Sequence, residues 1–425
     1  MTEWNARLRT LVGLTLGCSL GVGTALADER PETLDIGVFT FVSGPAATYG
    51  VPGQQAAELM VDLINDAGGI EGVPVSMTLV DEAQGAEGVI TEYRRLAEDA
   101  GYGAAIAALS SGNCLALAPL SDQLEMPTVA WNCDTHQLFL NNETDFMFRP
   151  NGNTVPEFSA FAAYMMAADP DIRTVAVINP DYSFGHDASA ILQAALNSIN
   201  SDVEVVVELF PRLGAGTYQT EISRLAALRP DAIFSNLWGA DLENFVRQAA
   251  PRGLFSQSQV VLALGETILQ TVDVPEGTIV GVLGDGYWRS DVAQANERTL
   301  AFVEAYRERF GENPVFPAMK MANAFITLEA AYGRAVASNG EWPNRQELAD
   351  AFEGLEVETL TGSIRLRDDN DAIVDQIVGR VAQNDGVLVM TDIVRFDGEA
   401  FMPPVGEDPI AWIGAQDASV FAAPN

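Results

Sequence analysis

The chain has 425 residues, 48% of them apolar and 19% charged, which is too apolar for a disordered chain and enough for two ordinary cores. Its 23 basic side chains against 59 acidic ones leave a net charge of −36. Such a surface repels phosphate backbones and anionic headgroups, so nucleic acid is excluded as a partner, and the acidity is read as serving solubility or a salty medium. Lys320 is the only lysine, and this is read as compositional bias without functional content.

Residues 1–27 read as a targeting segment. Arg7 and Arg9 form a basic start, Leu11 to Leu26 is uncharged and apolar or small, and Ala25-Leu26-Ala27 fits a small-x-small cleavage site. Cleavage after Ala27 in an exported, periplasmic protein is expected, with lipid attachment at Cys18 as the competing reading. No later run is long and apolar enough to span a bilayer. Two cysteines then remain, Cys114 and Cys133. In an oxidising compartment they suggest a disulfide closing a loop of roughly 20 residues, worth about 3 kcal/mol, against the alternative of two buried thiols.

Short β-branched runs then alternate with helical periodicity, the pattern of βαβ units on a parallel sheet. Strands are predicted at 34–42, 73–80, 104–109 and 127–131, with helices at 52–67, 87–99 and 114–125. A second set follows Arg149-Pro150-Asn151-Gly152-Asn153. It has helices at 154–168, 183–199, 217–228 and 241–250, and strands at 174–178, 203–209, 231–235 and 259–264. Two such units facing one another would enclose a cleft beyond their strand C-termini. Helices at 292–310, 317–338 and 344–352 come next. The strands at 363–367, 373–382 and 387–394 suggest that the chain returns to finish both units. The tail from Phe401 is Pro-rich and is given no element.

Motifs for chemistry are mostly absent. His136 and His186 have no metal-ligand spacing, and there is no CxxC, P-loop or Gly-x-Ser-x-Gly elbow. Gly214-Ala215-Gly216 lacks the third glycine of a dinucleotide fingerprint and reads as a turn. No enzyme, metal or cofactor is therefore expected. What the sequence offers is loops entering helices: Ser43–Gly50 after the first strand, and Ser110-Ser111-Gly112-Asn113 after the third. Helix N-termini of this kind present free N–H groups to an acceptor on a ligand, although Ser111 or Asn113 capping its own helix is the competing use.

Several segments together resemble the type I periplasmic solute-binding proteins of ABC importers, in particular the branched-chain amino acid (Leu/Ile/Val)-binding family. They are SGPAATYG at Ser43–Gly50, INDAGGIEGVPV at Ile64–Val75, LSSGN at Leu109–Asn113, MPTVAWNCDT at Met126–Thr135 and FMFRPNGN at Phe146–Asn153. VAVINPDYSFG at Val175–Gly185, RPDAIFSNLWGAD at Arg229–Asp241 and AFVEAYRERFGENP at Ala301–Pro314 continue the match.

The resemblance implies an α/β Venus-flytrap fold. Its two lobes would each be a mostly parallel sheet flanked by helices, joined by three hinge crossovers. Lobe 1 would comprise residues 28–150 plus 283–358, and lobe 2 residues 151–282 plus 359–425. It implies a monomer that captures a small amino acid-like solute between the lobes and hands it to the permease subunits of an importer. The alternatives are an amide, polyol or aromatic organic solute, or a periplasmic sensory subunit.

By the same resemblance, Tyr49 packs on the ligand side chain. Ser111, in the Ser110–Asn113 loop, holds its carboxylate, and the Asn132 carbonyl takes its amine. Phe184 and Trp238 close over it, with Trp131 a further aromatic candidate, and Glu266 pairs with the ammonium. Asp134 stands where the family has a threonine, and an ionised aspartate cannot donate to a carboxylate. A Cys114–Cys133 bridge would brace the wall carrying Ser111 and Asn132.

Overall fold

The computed structural model describes residues 30–140 and 144–422. The expected targeting segment and Cys18 lie outside them. Five parallel strands form the first sheet: β1 (Leu34–Thr40), β2 (Val75–Asp81), β3 (Ala104–Ile106), β4 (Thr128–Val129) and β5 (Met147–Phe148), in the order β2-β1-β3-β4-β5. Strands β6 (Thr174–Ile178), β7 (Glu204–Leu209), β8 (Ala232–Ser235), β9 (Gln259–Leu262) and β10 (Ile279–Gly281) form the parallel part of the second. Strands β11 (Glu356–Glu358), β12 (Ser363–Leu366) and β13 (Ala372–Ile373) make a separate three-stranded sheet, and the hairpin β14 (Gln376–Asn384) and β15 (Val387–Phe396) completes the second sheet as β15-β14-β10-β9-β8-β6-β7. The late strands thus finish one sheet, not two. β14 pairs antiparallel to β10, so this seven-stranded sheet is mixed.

Helical periodicity placed most helices within a few residues, and the differences have local causes. The first helix begins at Ala47, ahead of the expected start, and carries Pro52 inside it. Its first turn is pressed against the preceding strand end: a Cβ on Gly50 would meet the Phe41 carbonyl oxygen at 2.1 Å, so only glycine fits. The run 292–310 splits into Asp291–Ala295 and Glu297–Phe310, because the Asn296 side chain accepts from Arg298 N and Thr299 N and starts a new helix. Residues 373–382 break between β13 and β14 for a tertiary reason, since Gln376 Oε1 accepts from Gly284 N. The tail is ordered too: helix Pro409–Gly414 packs on helix Ser183–Ile199, where Ser198 Oγ donates to the Ile413 carbonyl.

The chain passes between the two sheets three times. It leaves the first after β5, returns after β10 to helix Phe316–Asn339 packed on helix Ala47–Asp66, and goes back to enter β14. Both sheets turn their strand C-termini toward the same space, as open α/β sheets do at a ligand site.

Candidate functional site

A small, nearly filled cavity lies in that space, lined by Tyr49, Leu109, Ser111, Asn132, Asp134, Tyr182, Phe184, Trp238 and Leu264. Each follows a strand C-terminus. Tyr49 comes after β1, Leu109 and Ser111 after β3, and Asn132 and Asp134 after β4. Tyr182 and Phe184 follow β6, Trp238 follows β8 and Leu264 follows β9. Tyr49 meets the Trp238 ring edge-on at 5.5 Å between centroids and the Phe316 ring at 5.6 Å. Trp238 Nε1 donates to Tyr182 Oη at 3.1 Å, and Tyr49 Oη donates to Asn132 Oδ1 at 3.1 Å. The walls are therefore aromatic, with their polar tips already paired.

The polar end is less simple than a free helix N-terminus. Ser110 Oγ accepts from Asn113 N, capping helix Ser111–Gln123. Buried Glu82 lies against the same turn, accepting from Leu109 N at 2.6 Å, Ser110 N at 3.4 Å and Asn113 Nδ2 at 2.8 Å. Burial pushes its carboxyl up to about 7 despite these bonds. Ser111 lines the cavity, whereas Ser110 and Asn113 serve the helix start.

Across from Ser111, Asp134 Oδ1 accepts from Lys320 Nζ at 2.7 Å, and both side chains are buried. Lys320 Nζ also lies 3.8 Å from Glu157 Oε1, and neither oxygen of that buried carboxyl has a hydrogen-bond partner among the described residues. Burial raises both carboxyls, Glu157 well above the usual range; Lys320 opposes the rise at each. Arg149 holds the Asp134 loop from behind, donating to the Cys133 and Thr135 carbonyls at 2.6 and 2.7 Å while paired with Asp371 at 2.6 Å. The Cys114–Cys133 disulfide ties this loop to the first turn of helix Ser111–Gln123, with Cα atoms 6.0 Å apart.

Two expected residues lie elsewhere. Trp131 is fully buried, donating from Nε1 to the Phe39 carbonyl, and belongs to the core. Glu266 is buried and accepts from Phe316 N at 3.0 Å; it lines a separate groove with Tyr287, Trp288 and Arg289, and burial pushes its carboxyl up to about 8. Tyr182, Glu82, Glu157 and Lys320 were missed. Tyr182 sits two residues before Phe184 in the quoted PDYSFG segment, a visible signal. Lys320 had one as well, in being the sole lysine.

The lobes also touch directly. Asp187 accepts from Thr135 Oγ1 and Gln137 Nε2, each at 2.6 Å, and Ala240 N donates to the Pro45 carbonyl at 3.2 Å.

The periplasmic binding protein model matches residues 33–386. This chain belongs to the periplasmic binding protein family. The Leu/Ile/Val-binding protein homolog 8 of Brucella abortus is 23% identical over 322 residues, spanning 72% of this chain and 77% of the relative. Homolog 4 of that organism is 22% identical over 397 residues, spanning 88% and 90%. Among solved structures, an ABC transporter solute-binding protein of Rhodopseudomonas palustris in complex with 3,4-dihydroxybenzoic acid matches with a TM-score of 0.76 at 21% identity, over 87% of this chain and 98% of that one. The branched-chain amino acid transporter substrate-binding protein LivJ of Streptococcus pneumoniae, in complex with isoleucine, matches at 0.73 and 18% identity, over 85% and 99%. This periplasmic binding protein thus shares the two-lobed α/β fold of these solved solute-binding proteins. Among the described residues no helix is long and apolar enough to cross a membrane.

Proposed function

We propose that this binding protein captures a small zwitterionic, amino acid-like solute with an aromatic or large apolar side chain in the interlobe cavity. The observation that carries this reading is the pairing of opposite polar features in one aromatic-walled space. Ser111 offers a helix N-terminus to a carboxylate, and Asp134 lines the cavity with one oxygen held by Lys320. The ammonium of the solute would take the other oxygen of Asp134, and Tyr49, Tyr182, Phe184 and Trp238 would enclose its side chain. Glu82 beside the Ser111 turn disfavours a solute with no positive charge of its own, because its ionised fraction repels an anion that carries no compensating ammonium. The protein would work as an exported, periplasmic monomer, its leader cut after Ala27, presenting the closed form to importer permease subunits.

A second reading, an aromatic carboxylate such as the one named with the Rhodopseudomonas palustris protein, is favoured by the four cavity rings alone. A thermal-shift screen of amino acids, matched aromatic acids, amides and polyamines separates the two. A ligand at 100 times its Kd stabilises by about 2.7 kcal/mol. Large apolar or aromatic amino acids are expected to raise the melting temperature. Stabilisation by aromatic acids alone would transfer the assignment to the second reading.

A further inference from the structure

The cation at the polar end of the cavity is the only lysine of a chain that carries 59 acidic residues. Its ammonium is walled in rather than solvated: the Lys320 side chain is 3% exposed, bonded to Asp134 Oδ1, and 5.7 Å above the Phe316 ring. Arg149, the other buried cation nearby, is engaged by Asp371 and by the carbonyls of Cys133 and Thr135. Three buried carboxyls surround this end of the cleft, namely Asp134 on its wall, Glu157 behind Lys320 and Glu82 behind Ser111. Asp134 Oδ2 has no protein hydrogen bond among the described residues, so it is the oxygen left for a solute.

We propose that Lys320 sets the charge selectivity of the interlobe cavity: its ammonium on Asp134 Oδ1 lets the cavity accept a solute that carries a carboxylate, and without it the same cavity favours organic cations. The electrostatic reason is direct. A buried carboxyl stripped of its partner either takes up a proton or finds another cation, and a ligand ammonium in the position Lys320 vacates or against Oδ2 is the cation that keeps it ionised. A solute carboxylate placed near that same unpaired charge is repelled. Lys320 is a positioning and specificity residue here, acting through Asp134.

The inference rests on the cavity reading above, and its test uses three probes of one shape: phenylalanine, phenethylamine and 3-phenylpropanoate, titrated calorimetrically at neutral pH. Lys320→Met is expected to shift the ratio of amine to acid affinity toward phenethylamine by about tenfold or more. Adding Asp134→Asn to it should remove that shift. Should Lys320→Met not fold, Asp134→Asn alone serves, because it takes away the carboxylate hydrogen-bonded to the lysine, leaving only Glu157 at 3.8 Å, and should move the ratio toward 3-phenylpropanoate. A loss of structure alone would weaken all three probes together and leave their ratio unchanged. A ratio that stays within about twofold of wild type in the folded variant would overturn the proposal. If the wild type binds none of the three, the amino acid reading fails. Phenethylamine binding gained by Lys320→Met would then still establish the role of Lys320, and no gain would refute it.

Discussion

Trp238 joins the two halves of the site by its ring and its N–H. Its edge contact with Tyr49 crosses from one lobe to the other, and Nε1 is pinned to Tyr182. Trp238→Ala should weaken solute binding by about 1–3 kcal/mol, the usual cost of losing a buried aromatic anchor, and unchanged calorimetric affinity would remove it from the site. Glu82 makes a prediction of a different kind. Its carboxyl sits near 7 in the folded chain against an ordinary 4.5, because it is buried. A raised carboxyl stabilises fully below its unfolded value and loses that contribution as pH rises through the folded one, here about 3 kcal/mol between pH 4.5 and 7. Melting temperature should therefore fall more steeply over that window in wild type than in Glu82→Gln; parallel curves would contradict this. At this scale the sequence was legible where a residue follows a strand end, as Tyr49, Ser111, Asp134, Phe184 and Trp238 do. It was opaque for the pairing of Lys320 with Asp134, 186 residues away: being the sole lysine marked the residue, but no local pattern encodes so distant an ion pair.

The disulfide couples two elements that carry the polar end of the cavity. Cys114 lies in the first turn of helix Ser111–Gln123, and Cys133 sits between Asn132 and Asp134. Replacing both by serine should lower stability by about 3 kcal/mol on the chain-entropy account, read from urea unfolding, and should also weaken solute binding by freeing Ser111 from Asp134. Stability equal to wild type would argue against a structural bridge. Element type was readable from periodicity, and helices Thr154–Ala168 and Ser183–Ile199 fall on their expected bounds. The short strands Met147–Phe148 and Ile279–Gly281 were not, since two or three residues carry no period and exist only through sheet neighbours. The tail escaped for the same reason: helix Pro409–Gly414 is held by its packing on Ser183–Ile199.

At the scale of the whole molecule, the lobes meet through protein contacts of their own. Asp187 accepts from both Thr135 and Gln137, and Gly239, at φ +58°, brings its Cα so near the Pro45 carbonyl that an added Cβ would lie 3.0 Å from it. If the lobes open and close as the proposed function requires, these contacts favour the closed arrangement, and a solute need supply only the remainder. Asp187→Ala removes two of the bonds; it should enlarge the solute-free radius of gyration in scattering and weaken binding by about 1–2 kcal/mol. An unchanged profile and affinity would show that the contact does not govern closure. The two-unit organisation was legible from the repeated βαβ pattern, but these closing contacts were not, because each spans the two units.

The burial of Lys320 also gives the protein a built-in chemical reporter. With one lysine in the chain, an amine-reactive reagent has a single side-chain target, and that target is sealed inside the cleft beneath Asp134. Acylation of Lys320, followed by peptide mass, would count how often the jaws part, with no dye or engineered cysteine to disturb them.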